Sequence, residues 1–200
     1  EGGLINDGEI STRLGLQGIP SLAESIIVQR DLSFLEEYFC RYHISQISSK
    51  KTVSIMRKAK SEQKVFSSGV SINNLSLNEN DIGDFKTFLK LSPPLRTEAD
   101  RLSLIEGIND GSIDVIVSDH KPEDEEAKRL TFAKAATGAI GIETLLPLAL
   151  ELFHNGSIKL EKLLSTLTSN PAKILKINKG SLDVGYDADL CVIDINKPWV

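Results

Sequence analysis

Histidine is scarce in this chain: three in 200 residues, at positions 43, 120 and 154. No two of them stand at a ligand spacing, so histidine alone cannot build a zinc site, which needs about three protein ligands. Cysteine is scarcer still. Cys40 and Cys191 form no metal or redox spacing, which excludes a disulfide scaffold and points to free thiols in a reducing cytoplasm. No apolar run approaches the roughly 20 residues of a membrane span. No basic patch is present: 23 Lys and Arg against 28 Asp and Glu leave a net charge of -5, which argues against a nucleic-acid partner. No signal peptide is expected, and no Met stands at residue 1. The loop-like opening EGGLINDGEIS suggests a fragment or a processed chain.

What is present reads as one globular domain. The hydrophobic fraction is 40% and the charged fraction 26%, ordinary for a soluble protein with a sizeable core. Helices and strands alternate. Pro20 opens a helix, where its missing N–H costs nothing, and Leu22, Ile26, Leu32, Leu35 and Phe39 recur along it. A strand follows at 42–47, a helix at 49–60 and a strand at 64–70. Thr97 with Asp100 resembles a helix-starting cap for a helix whose apolar face is Leu102, Ile105 and Ile108, stopped by Gly111. The β-branched run 113–118 is the mark of a strand buried on both faces. Helices are expected at 140–154 and 160–169, with a short one from Pro171. Strands separated by such helices imply βαβ units and a parallel sheet. The tail differs: glycines at 180 and 185, then the run 190–195, read as a strand–turn–strand piece belonging to a small β-structure.

In parallel α/β proteins the reactive side chains sit at the C-terminal ends of strands. That rule selects Ser118-Asp119-His120, the stretch from His43 to Ser48, Ser71-Ile72-Asn73-Asn74, and Ser92-Pro93-Pro94-Leu95-Arg96. Asp119 is the strongest candidate, since a carboxylate there can bind a metal or serve as a general base; the alternative is a capping aspartate. Its neighbours do not complete a triad, because adjacent strand residues point to opposite faces. His43 reads as a packed or hydrogen-bonded core histidine, and His154 as a solvated helix end. The acidic run from Glu123 to Glu126 reads as a solvated loop; facing the cleft, it would disfavour an anionic substrate.

The segments GEISTRLGLQGIPSLAE, YHISQISSKKTVSIMRKAK, KLSPPLRTEADRLSLIEGINDGSIDVIVSDHKP, GAIGIETLLPLAL, LTSNPAKIL and KGSLDVGYDADLCVID occur in the order seen in class I dihydroorotases, which the chain resembles over nearly all its length. The resemblance implies part of a TIM-like (β/α)8 barrel, about strand 5 to strand 8, in residues 1–178, and return strands of a small β-sandwich in 179–200. It implies reversible hydrolysis of the cyclic amide of dihydroorotate in pyrimidine biosynthesis, with one or two zinc ions. The family's first-strand His-x-His pair and its bridging lysine or aspartate have no counterpart in this sequence. Where the family's fifth strand carries a histidine stands Gln46, and where the sixth carries its histidine ligand stands Asn73. Ser92 replaces an asparagine that touches the pyrimidine ring, and Glu123 replaces a histidine that helps bind the substrate carboxylate. Asp119 keeps the place of the metal-binding, proton-shuttling aspartate. Ser92, Asn73, Glu123 and Gly138 make up the implied substrate-binding set.

Neutral amides are poor zinc ligands, so zinc is expected to be weak or absent and the chain inactive. Water without the metal stays far above the pKa of ~7 reached on zinc. Three alternatives follow from the resemblance. One is an active dihydroorotase whose missing half supplies the metal. Another is a non-catalytic scaffold for aspartate transcarbamoylase. A third is an amidohydrolase acting on another cyclic amide. Half a barrel leaves two sheet edges open, so these residues alone are expected to be poorly stable.

Overall fold

A computed structural model describes residues 2–198. Two short parallel strands, β1 (Ile5–Asn6) and β2 (Gly18–Ile19), bracket helix α1 (Glu9–Leu14). Helix α2 (Ser21–Glu37) begins directly after Pro20. It buries Ser25, Val28 and Leu32, while Leu22 and Ile26 face outward and Phe39 lies beyond the helix end, fully exposed. The expected apolar stripe is therefore rotated. The 25–28–32 spacing also fits one helical face, and that is the face laid on the next helix.

The frame is a parallel sheet of β3 (His43–Ile47), β4 (Ser67–Ser71) and β5 (Val115–Val117), neighbours in chain order. Helix α3 (Lys50–Ser61) links β3 to β4. The short α4 (Ile72–Ser76) and then α5 (Glu98–Asp110) lie between β4 and β5. Strand β4 starts three residues later than expected. Gln63 turns with φ 63° and the Lys64 N–H closes back on the Ala59 carbonyl, so helix termination uses the chain that alternation assigned to the strand. After β5 come α6 (Glu125–Lys128), α7 (Leu145–His154), α8 (Leu160–Leu167) and α9 (Ser169–Leu175).

Local signals account for the helix ends. Ser49 caps α3 by accepting from the Thr52 N–H. Thr97 and Asp100 form a reciprocal capping box on α5, and Gly111 ends it in the left-handed conformation at φ 83°. The core between sheet and helices holds Ile47, Val53, Met56, Val70, Ile72, Leu75, Leu104, Ile108, Ile113 and Leu163, all essentially sealed from solvent. Each such side chain contributes roughly 1.5–3 kcal/mol on burial. Leu102, expected on that face, is half exposed and Leu104 takes its place. A smaller cluster of Ile5, Ile10, Ile82, Leu91, Leu95 and Phe132 packs under the segment that leads to α5.

The tail departs from expectation. Among the described residues, 179–198 contain no strand. The chain there turns through Asp183–Tyr186, Lys179 pairs with Asp187 and Asp189, and Val184 and Val192 face solvent. A strand needs a partner edge for its N–H and C=O groups, and none of the described residues offers one to 190–195. Trp199 and Val200, the end of the 179–200 expectation, lie outside the described residues.

Candidate functional site

The C-terminal ends of β3 and β5 meet at one carboxylate. Asp119 stands two residues past β5 in a left-handed turn (φ 50°), with its side chain 3% exposed. Gln46, the penultimate residue of β3, donates from Nε2 to Asp119 Oδ1 at 2.5 Å. The Lys121 ammonium lies 2.8 Å from the same oxygen and also donates to the Ser92 carbonyl at 3.2 Å. The end of β3, the turn after β5 and the Ser92–Pro94 loop are thereby tied together.

Asn73 follows β4 in the first turn of α4 and is buried. Its backbone N–H is capped by Ser71 Oγ, and its side-chain Nδ2 has no partner among the described residues. Asn74 donates to the Pro94 carbonyl at 3.0 Å and leaves its Oδ1 unpartnered. An unmade bond on a buried polar atom costs about 1–3 kcal/mol, so both atoms mark a place where polar partners are wanted.

The remaining candidates divide. Ser92 is exposed and contributes its carbonyl rather than its hydroxyl. Gly138 is buried beside Lys121: its φ is 143°, and a Cβ there would stand 2.5 Å from the Lys121 carbonyl oxygen, so only glycine fits without displacement. Glu123 is exposed just ahead of α6 and, among the described residues, is drawn into no hydrogen bond of the site. The next residue, Asp124, caps α6 through the Ala127 N–H, and Glu125 and Glu126 form that helix's first turn, so the acidic run is solvated as expected but half of it is helix rather than loop. His120 is exposed, and its Nδ1 accepts from the Gly141 and Ile142 N–H groups at 3.1 and 3.3 Å, which assigns the neutral ring's proton to Nε2. Those two amides are drawn out of the helix expected from residue 140, which is why α7 begins at Leu145. His43 corrects the sequence reading in part: it pairs with Ser67 Oγ at 2.7 Å, but it is exposed and lies at the opposite end of β3. His154 ends α7, exposed as expected, and donates to the Ile195 carbonyl at 2.8 Å.

Sequence reasoning passed over the lysines. Lys90 is buried with no carboxylate partner among the described residues; it donates to the Ala133 and Ala135 carbonyls and lies 5.9 Å from the Phe132 ring centre. Burial pushes its pKa down. Lys128 donates to the Ala136 and Gly138 carbonyls, and burial pushes its pKa down against the opposing charge of Glu123. The two ammonium groups thus hold the 133–138 turn that carries Gly138 against Lys121. Lys121 had one legible signal, its i, i+2 spacing from Asp119. Lys90 had none, because its carbonyl partners lie more than forty residues away. Behind the site, Arg96 is buried and bonds Ser48 Oγ, Asn6 Oδ1 and the Ile19 carbonyl, which fixes the chain just after Gln46.

These donors do not fit a zinc ion. Among the described residues, no three His, Cys, Asp or Glu side chains gather closely enough to hold a metal. Gln46 and Asn73 present neutral amides, and Asp119 offers a single carboxylate whose Oδ1 already accepts from an amide and an ammonium.

Residues 12–200 match the family described as the amidohydrolase family. A dihydroorotase from Ehrlichia canis (strain Jake) is 44% identical over 198 residues, covering 98% of this chain and 44% of that protein. A dihydroorotase from Syntrophus aciditrophicus (strain SB) is 42% identical over 199 residues, covering 100% of this chain and 47% of that protein. The chain thus spans about half the length of the curated relatives it matches. Among solved structures, the L-hydantoinase (dihydropyrimidinase) from Arthrobacter aurescens superposes with a TM-score of 0.81 at 29% identity, over 91% of this chain and 42% of that one. The dihydropyrimidinase from Brevibacillus agri NCHU1002 shares the fold, with a TM-score of 0.78 at 23% identity over 84% of this chain and 39% of that one. The α/β architecture, the site at the strand ends and a family match across residues 12–200 lead to one assignment: the chain belongs to the amidohydrolase family.

Proposed function

We propose that this chain supplies the second half of a dihydroorotase-type barrel whose strand-end site no longer grips zinc, so that the protein does not hydrolyse dihydroorotate. The single observation that carries the reading is the Gln46 amide donating to Asp119 at 2.5 Å, since a carboxylate held by a neutral amide and an ammonium is poorly presented to a metal. The dihydroorotase relatives, 42–44% identical, support the substrate class. In this reading residues 1–178 belong to the barrel and 179–200 to the small β-sandwich. Asp119, Asn73, Ser92, Glu123 and Gly138 surround the former reaction centre, and the protein acts as a non-catalytic partner of aspartate transcarbamoylase.

The test is metal analysis of the purified full-length protein, together with turnover of dihydroorotate and of its ring-opened form. Metal-free protein with no turnover is expected; stoichiometric zinc with turnover ends the reading. Co-purification with aspartate transcarbamoylase is expected, and its failure removes the scaffold role alone. One observation favours a second reading: the likeness to the Arthrobacter L-hydantoinase, at 29% identity, directs attention to another cyclic amide. Turnover in a screen of hydantoins and dihydropyrimidines would establish it.

A further inference from the structure

We propose that Lys121 is the resident cation of the strand-end site, its ammonium taking the charge-neutralising place that a divalent metal would otherwise hold against Asp119. The inference rests on the reading above and deepens it by naming what replaces the metal. A carboxylate 3% exposed to solvent is strongly disfavoured unless a positive charge compensates it. Among the described residues, Lys121 is the cation within 4 Å of Asp119, and it makes its contact at 2.8 Å. The lysine is held there by more than that one contact. Its ammonium also donates to the Ser92 carbonyl, its backbone N–H donates to the Ala139 carbonyl at 2.9 Å, and its carbonyl passes so close to Gly138 that a Cβ there would stand 2.5 Å away. Gln46 adds a neutral donor to the same carboxylate oxygen, so a metal could use Oδ1 only by displacing both contacts.

The ammonium suits this place. It is a compact charge with three N–H donors, two of which are used on Asp119 and Ser92. Its side chain is 47% exposed, so solvent screens part of the attraction and the expected effect is smaller than for a sealed pair.

The experiment is a double-mutant cycle on the full-length protein with Lys121→Met, Asp119→Asn and the two combined. Unfolding is followed in denaturant, and the metal content of the wild type is measured beside it. Lys121→Met is expected to lower the folding equilibrium constant by about tenfold or more, because it strands a buried carboxylate. In the Asp119→Asn background the same change is expected to cost much less. Should Lys121→Met alone fail to fold, the double variant is expected to fold, because neither charge remains. A metal-free wild type with a fully stable Lys121→Met variant overturns the inference and leaves the proposed function standing. So does a Lys121→Met loss of equal size in both backgrounds, which would mean that the lysine acts through Ser92. Stoichiometric zinc in the wild type overturns both.

Discussion

Tyr42 and Asp31 illustrate how single side chains tie helix to sheet in this protein. The Tyr42 hydroxyl, just before β3, donates to Asp31 Oδ2 on α2 at 2.7 Å. That bond holds the Asp31 carboxyl below its ordinary value of 3.8; partial burial opposes the shift and Arg30 adds to it. A folded-state pKa below the unfolded one stabilises the protein above about pH 4, and the contribution fades as pH falls through the folded value. Tyr42→Phe removes the largest cause. The variant is expected to be less stable than wild type at neutral pH, and the two stability curves should draw together below about pH 3. Denaturant unfolding across that range checks this, and an unchanged gap at low pH counts against it. The residue scale is also where sequence reading stopped short. Asp119, Gln46 and Asn73 could be placed at strand ends from their order alone, whereas the Lys121 contact depends on a left-handed turn at Asp119 that no residue type announces.

Elements were most legible where a local rule acts through a few neighbours. The capping box of Thr97 and Asp100, the left-handed stop at Gly111 and the Ser49 cap all involve partners within four residues. Thr97→Ala is expected to cost about 1 kcal/mol, through the lost hydroxyl acceptor for the Asp100 N–H. An unchanged denaturant slope with a lowered midpoint is the expected signature. The effect extends to α3, since the other oxygen of Asp100 accepts from the Lys50 N–H at 2.7 Å. Boundaries were less legible where distant groups compete for the backbone. Residues 140–144 were expected to open the helix that runs to His154, yet two of their amides serve His120 instead. On α2 two apolar stripes were available, and packing against α3 selected the one containing a serine.

At the scale of the whole molecule, the sheet β3–β4–β5 is flanked by helices but has two unclosed edges. Large apolar side chains stand exposed on α2 and beyond, Phe34, Tyr38 and Phe39 among them. Unpaired edges and uncovered apolar surface both weaken a domain and invite association. Residues 1–200 in isolation are therefore expected to melt broadly, to bind a hydrophobic dye and to self-associate with rising concentration, as followed by calorimetry and light scattering. A sharp, concentration-independent monomeric transition would contradict this. The tail belongs to the same scale: 190–195 has the composition of a strand, and composition cannot supply the neighbouring edge that would make it one.

Sequence alone determined the alternation of helices and strands, the capped start of α3, both ends of α5 and the set of strand-end residues from which a site could be drawn. These follow from periodicity, capping and turn chemistry, which act over a few residues. Tertiary structure decided which face of α2 is buried, that Gln46 and Lys121 share one oxygen of Asp119, and that two lysines hold the turn bearing Gly138. Those outcomes depend on contacts spanning tens of residues, where the cost of burying a charge or leaving a carbonyl unmet is settled only once the chain has closed around it.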